Sequence, residues 1–189
     1  VSAPRIVALE GVHAAGKTTH TDHLALALRR AGVYAMPWHH PKPPETCRTP
    51  YSRALWYALA RAAFLETTVV EAATTPDLPP PVWIVDRWSW STIVDAMTVA
   101  PESDRTAMRL LYSAEMESKG PTPLTILLTA PLAEIERRLV ARGESTAGMR
   151  EVHGEYLRLA EWHGWPAVAT SLPREQVTER LVGIVRGWL

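Results

Sequence analysis

The chain has 189 residues, and its 20 lysines plus arginines are balanced by 20 aspartates plus glutamates. That length predicts one domain over residues 1–189 with a sizeable core, and the zero net charge argues against the broad basic field of a duplex-binding protein. The single cysteine, Cys47, excludes an internal disulfide; with no apolar run of membrane-spanning length and no signal-peptide core near Val1, the chain reads as cytoplasmic with no membrane partner.

Arg5 to Glu10 is a short apolar run of strand character. Directly after it, Gly11-Val-His-Ala-Ala-Gly-Lys-Thr18 has the spacing G-x-x-x-x-G-K-[ST]. Two glycines let such a loop curl so that backbone N–H groups point at phosphate oxygens. A lysine at Lys17 reaches the β- and γ-phosphates, and a hydroxyl at Thr18 can take a place on Mg²⁺. Leu24, Leu28 and Ala31 follow at helical spacing, with Gly32 where a C-cap belongs. Strand, glycine loop and helix in this order predict a nucleoside triphosphate site formed by Gly11, Ala14, Ala15, Gly16, Lys17, Thr18 and Thr19. ATP and Mg²⁺ are its expected ligands. His13 reads as one of the loop's permissive positions.

Val33 to Met36 is the second predicted strand, and the loop from Pro37 to Pro50 is longer than connections usually are. Tyr51 to Ala73 is predicted helical, Pro79-Pro80-Pro81 closes the next loop, and Val82 to Asp86 is a buried strand. Helices are expected over Ser91 to Ala100 and Glu102 to Lys119, then a strand over Leu124 to Leu128, helices over Leu132 to Arg142 and Met149 to His163, a strand over Ala167 to Thr170, and a closing helix over Arg174 to Trp188. This alternation predicts an α/β fold: a central parallel sheet of about five strands, helices on both faces, ligands at the strands' carboxyl ends. Asp86 falls at such an end, where a carboxylate either holds Mg²⁺ or caps the following helix.

With these residues placed, the chain resembles the thymidylate kinase family. Glu10-Gly11 leads into the phosphate loop, and Asp86-Arg87-Trp88 with Ser91-Thr92 matches that family's Asp-Arg-Tyr/Phe motif and serine pair. Ala60-Arg61-Ala62 fits its Ala-Asp-Arg helix segment, and Leu132 to Arg142 with Met149 to Leu157 resembles its lid and the helix after it. Related deoxynucleoside kinases match through the same loop and the arginines Arg137, Arg138 and Arg142. The resemblance implies a P-loop kinase fold with a mobile lid around 137–150, a nucleotide or nucleoside-like acceptor, and a possible homodimer. It implies that Lys17 and Thr18 handle the donor, Asp86 the magnesium, Arg87 and Arg61 the acceptor side, and Arg138, Arg142 and Arg150 the lid. Glu10, Trp38, Trp56, Trp88, Trp90 and Ser91 fall in segments bordering the acceptor pocket of these kinases.

Three departures bear on the acceptor. Met36-Pro37 stands where both families carry Glu-Pro, Trp38-His39-His40-Pro41 replaces a Gly-Gly-Thr segment, and Asp95-Ala96 replaces Tyr-Gln. A phosphate acceptor needs no general base, whereas a hydroxyl acceptor benefits from one, so His39, His40 or Asp95 are candidate bases. Two kinase readings therefore stand: transfer to a nucleoside monophosphate, or to a hydroxyl on a deoxynucleoside, a hydroxymethylpyrimidine base in DNA or a small metabolite. A GTP-hydrolysing switch is disfavoured because no Asn-Lys-x-Asp motif occurs and no Asp-x-x-Gly begins at Asp86.

Overall fold

The computed structural model describes residues 4–74, 79–117 and 121–189. Strand β1 (Arg5–Glu10) is buried along all but its first residue, as a strand covered on both faces must be. It occupies the centre of a five-stranded sheet ordered β2-β3-β1-β4-β5, formed with β2 (Ala35–His39), β3 (Val82–Asp86), β4 (Leu124–Thr129) and β5 (Ala167–Ala169). Every pairing is parallel. Helices α1 (Lys17–Arg30), α2 (Pro50–Thr74), α3 (Trp90–Thr98), α4 (Glu102–Glu117), α5 (Leu132–Val140), α6 (Met149–His163) and α7 (Arg174–Trp188) supply the connections and the cover.

Register fixes which side chains share a face. Val7, Leu9, Ile84 and Ile126 pack with Leu24 and Leu28 of α1 and Leu181 of α7. Ile6, Ala8 and Val85 point the other way, onto Phe64 of α2 and onto Trp88. The predicted α/β architecture of five parallel strands with helices on both faces is the one observed.

Three boundaries differ for identifiable reasons. Strand β2 begins at Ala35, not Val33, because Val33 N–H bonds Leu28 O at 2.9 Å and Gly32 N–H bonds Arg29 O at 3.0 Å, a Schellman cap that keeps Val33 in the helix end. It then continues through Pro37 to His39, which an edge strand allows because the missing N–H faces outward. Helix α5 stops at Val140, not Arg142: Glu144 N–H bonds Leu139 O and Gly143, at φ 69°, supplies the left-handed residue of a second Schellman cap. Arg142 thereby leaves the helix. The predicted α4 helix is seen as far as Glu117; its remaining residues to Lys119 lie outside the described segments.

Among the described residues, no helix is long and apolar enough to cross a membrane.

Candidate active site

The carboxyl ends of β1 and β3 adjoin in the sheet, Leu9 pairing with Asp86, and the chain leaves β1 directly into the Gly11–Thr18 loop. Gly11 sits at φ 140°, and a Cβ there would lie 2.3 Å from Leu128 O, so only glycine lets the loop pass under the end of β4. The loop feeds α1 at Gly16, and no side chain caps that helix. The N–H groups of its first turn therefore stand free, at the end where a helix attracts anions. A cavity of about 190 Å³ opens in front of them, lined by His13, Ala14, Gly16, Lys17, Thr18, Thr19, Asp86, Arg87 and Arg142.

Lys17 is buried and donates from Nζ to Gly11 O at 2.8 Å and to Val12 O at 2.7 Å. Burial, reinforced by the charge of Arg87, pulls its ammonium down to about 7. Such a cation gains most from an arriving phosphate, which restores the charge that burial disfavours. Thr18 Oγ1 donates to Asp86 Oδ2 at 2.5 Å. The other oxygen, Asp86 Oδ1, is buried without a hydrogen-bond partner. A hydroxyl and a carboxylate side by side, with one oxygen unsatisfied, fit Mg²⁺, which takes few protein ligands and completes its shell with phosphate and water. Among the described residues no group of three or more His, Cys, Asp and Glu is placed to hold a metal.

Arg87 follows Asp86 at φ 77°, a left-handed conformation unusual for a residue with a side chain. Its Nη1 donates toward Ser91 Oγ at 3.2 Å, Tyr156 OH at 3.4 Å and Gly11 O at 3.5 Å. The guanidinium thus lies across the phosphate loop. Arg142 joins it from the loop between α5 and α6, 56% exposed and only loosely near Glu144 at 4.0 Å. The phosphate cavity accordingly carries Lys17, Arg87 and Arg142 on its walls.

Several residues expected at the site are placed elsewhere. Glu10 is fully buried, accepting from Trp88 N–H at 2.7 Å and Ser91 Oγ–H at 2.8 Å, and cannot line an acceptor pocket. Burial pushes its carboxyl up. Arg138 does not reach the cavity: Nε bonds Glu134, Nη1 bonds Ala14 O and Thr170 Oγ1, and Nη2 bonds Thr170 O at 2.8 Å. It braces the back of the phosphate loop. Arg61 is 3% exposed and forks onto Glu115 of α4 at 2.7 and 2.6 Å, which commits its Nε and Nη2 to a protein carboxylate. Arg150, exposed on the first turn of α6, is not among the cavity's lining residues.

The histidine loop is also spoken for. His40 packs edge-on against Trp38 and Tyr57, with ring centroids at 4.4 and 5.2 Å, and its Nε2 lies 3.3 Å from Arg87 O. A carbonyl can only accept, so Nε2 carries the proton and Nδ1 is the buried, unpartnered atom. Burial, with the charge of Arg61 next, lowers its pKa to about 3. A group so weakly basic and so enclosed is no general base. His39 turns to Asp22 of α1 at 2.9 Å and is not on the cavity wall.

The tryptophans divide between core and loop. Trp88 packs near Phe64 in the core, Trp90 against Tyr112, His163 and Trp165, Trp38 tilts onto Phe64 at 4.4 Å, and Trp56 Nε1 donates to Pro41 O at 3.2 Å. Trp88 and Trp90 instead line a larger groove of about 800 Å³ between α2, α4 and the end of α6. That groove shares no lining residue with the phosphate cavity, and size alone does not make it the reaction site.

Asp95, on α3, lines neither cavity but lies within electrostatic reach of Arg87 and Lys17. Its surface is exposed, yet partial desolvation pushes its carboxyl up, while Arg87, Lys17 and then Arg53 pull it back. Burial pushes the Tyr57 hydroxyl of α2 up, Arg87 and Arg53 pull it back, and Asp95 and Asp86 add to the rise. Nothing in the sequence marks Arg53 and Tyr57 as neighbours of these charged groups. The approach of Arg53 and Tyr57 to these charges depends on how α2 docks, whereas His13 is visible inside the motif itself. Arg87's charge, then burial, lowers His13 to about 4.

A central parallel sheet, a glycine loop running from its middle strand into an uncapped helix, and a neighbouring strand ending in Asp86-Arg87 define a P-loop kinase fold. The chain is 26% identical over 204 aligned positions to the thymidylate kinase of Parasynechococcus marenigrum (strain WH8102), covering 94% of this chain and 94% of that protein. No family model matches it. The chain is thus distantly thymidylate kinase-like along nearly its whole length, as its motifs suggested.

Proposed function

We propose that this chain is an ATP-dependent kinase of the nucleotide class, transferring the γ-phosphate of ATP to a nucleoside monophosphate. The observation that carries the reading is the cation-walled phosphate cavity, with Lys17, Arg87 and Arg142 facing the free N–H groups of α1 and the Thr18–Asp86 pair. The distant likeness to a thymidylate kinase supports the acceptor class. Lys17 and the loop N–H groups would bind the donor phosphates. Thr18 and Asp86 would hold Mg²⁺, which when bound neutralises phosphate charge. Arg87 and Arg142 would balance the charge that spreads over the transferring phosphoryl group as the acceptor oxygen bonds to phosphorus and the bond to the ADP oxygen breaks.

A second reading, a hydroxyl acceptor, is favoured by one specific arrangement. Arg61, the residue expected to grip an acceptor phosphate, is engaged by Glu115, while the Asp95 carboxyl lies within electrostatic reach of Arg87 and Lys17 of the phosphate cavity. That carboxylate would accept the hydroxyl proton. Incubation with ATP and Mg²⁺ against panels of monophosphates, nucleosides and hydroxymethylpyrimidine DNA, with product mass measured, tests both. A phosphorylated monophosphate supports the first reading, and a phosphorylated hydroxyl the second. ADP release without any phosphorylated acceptor sinks both.

A further inference from the structure

Glu10 and Arg87 are joined through two hydroxyls and not by a direct ion pair. Glu10 Oε2 accepts from Ser91 Oγ–H at 2.8 Å and from Tyr156 OH at 3.3 Å, and the two hydroxyls lie 3.0 Å apart. Both in turn face Arg87 Nη1, at 3.2 and 3.4 Å. Glu10 Oε1 takes the N–H of Trp88, and Arg87 N–H bonds Leu9 O at 3.1 Å, so the same cluster pins the backbone on both sides of the left-handed residue. A non-glycine residue persists in that conformation only where its surroundings over-determine it, and such strain gathers at functional sites. Four elements contribute: β1 through Glu10, the phosphate loop through Gly11 O, α3 through Ser91 and α6 through Tyr156.

We infer that Tyr156, with Ser91, is a positioning residue that holds the Arg87 guanidinium over the phosphate loop and ties it to the α5–α6 segment carrying Arg142. Tyr156 is 2% exposed and reaches neither cavity, so its hydroxyl has no solvent or ligand role to explain it. An apolar ring would fill the same space; the oxygen is needed for what it bonds. The segment from Arg142 to Tyr156 delivers one cation to the cavity wall and the hydroxyl that aims another. His153, one turn earlier on α6, fixes that helix by contacts of 3.1 Å to Thr129 Oγ1 and Ala130 O at the end of β4. Any displacement of α6 therefore moves the support of Arg87 as well.

The catalytic half of this inference rests on the kinase reading, whereas the positioning half does not. Tyr156→Phe keeps the ring and removes the oxygen. With the acceptor that the panel identifies, its kcat falls about tenfold, the scale of one hydrogen bond to a charged group, while KM for ATP stays within about twofold. In an Arg87→Lys background the same change costs much less, because the fork it aims is gone. Side-chain nitrogen–proton NMR gives a readout without turnover. Arg87 shows distinct, slowly exchanging guanidinium signals in the wild type, and these merge in Tyr156→Phe and again in Ser91→Ala. Signals unchanged in both variants overturn the positioning role. Full additivity of Tyr156→Phe with Arg87→Lys overturns its catalytic consequence. Distinct Arg87 signals in the wild type that merge in Tyr156→Phe, in a protein that phosphorylates no acceptor, would leave the positioning intact and the kinase reading refuted.

Discussion

Arg61 of α2 forks onto Glu115 of α4, Nε and Nη2 each donating to a carboxylate oxygen at 2.7 and 2.6 Å, in a place where Arg61 is almost wholly buried. Removing one partner of such a pair strands the other charge in the interior, at a cost of about 3–5 kcal/mol, whereas replacing both with apolar residues is often neutral. Arg61→Met is therefore expected to lower the denaturation midpoint strongly, and Arg61→Met with Glu115→Leu to recover most of it. A stable single variant whose only defect is a raised KM for the acceptor would return Arg61 to the acceptor-phosphate role that its motif suggests.

Asp86 illustrates the opposite outcome, a motif residue found where it was expected. With Thr18 Oγ1 on Oδ2 and Oδ1 unsatisfied, Asp86→Asn keeps the shape and loses the charge that a divalent cation needs. Turnover should fall by about a hundredfold or more at fixed Mg²⁺. The Mg²⁺ concentration giving half-maximal rate should rise, while metal-free ATP binding, followed by calorimetry, persists. Unchanged Mg²⁺ dependence would assign Asp86 to helix capping instead.

The arginines between α5 and α6 look alike in sequence and differ in the fold. Arg142→Ala should reduce kcat by about tenfold or more with little change in stability, since it lines the cavity and is mostly exposed. Arg138→Ala should do the reverse in part, lowering stability because Ala14 O and Thr170 O lose their donors. Arg137→Ala, an exposed pair with Glu134, should change neither measurably. Equal kinetic effects at all three positions would contradict this division.

Local chemistry explains why the lining of the phosphate-loop cavity was legible and the surroundings of Arg61, Glu10 and His40 were not. The phosphate loop needs glycines, a lysine and a hydroxyl within eight positions, so the sequence alone places Lys17 and Thr18, and an apolar strand ending in Asp86 sets a carboxylate beside them. The parallel sheet follows from short apolar strands alternating with helices. Arg61, Glu10 and His40 fail for a shared reason: their partners Glu115, Tyr156 and the Arg87 carbonyl are brought to them only by tertiary packing. A motif carries a residue's type and spacing; it does not carry the contact that spends its hydrogen bonds. Pro37 misleads differently, since proline argues against a strand except at the edge that β2 turns out to occupy.

His40 gives the most direct pH test. Enclosed by Trp38 and Tyr57 and donating from Nε2 to Arg87 O, it is neutral down to about pH 3, against an ordinary value of 6.5. The unfolded chain protonates this ring more readily than the folded one, so the unfolded state binds the extra proton between those two values. Stability is then present above about pH 6.5 and is lost as pH falls through the window toward 3, with a slope approaching about 1.4 kcal/mol per pH unit for this one group. His40→Gln retains a side-chain donor for Arg87 O and has no ring to titrate. Denaturant midpoints at pH 7, 5.5 and 4 should show the wild type losing more stability than the variant, the difference isolating His40 from the carboxylates common to both. Proton NMR should find the His40 ring still neutral at pH 5. A ring that titrates near 6.5, with equal pH slopes in the two proteins, would make His40 free to accept a proton and restore it as a candidate base.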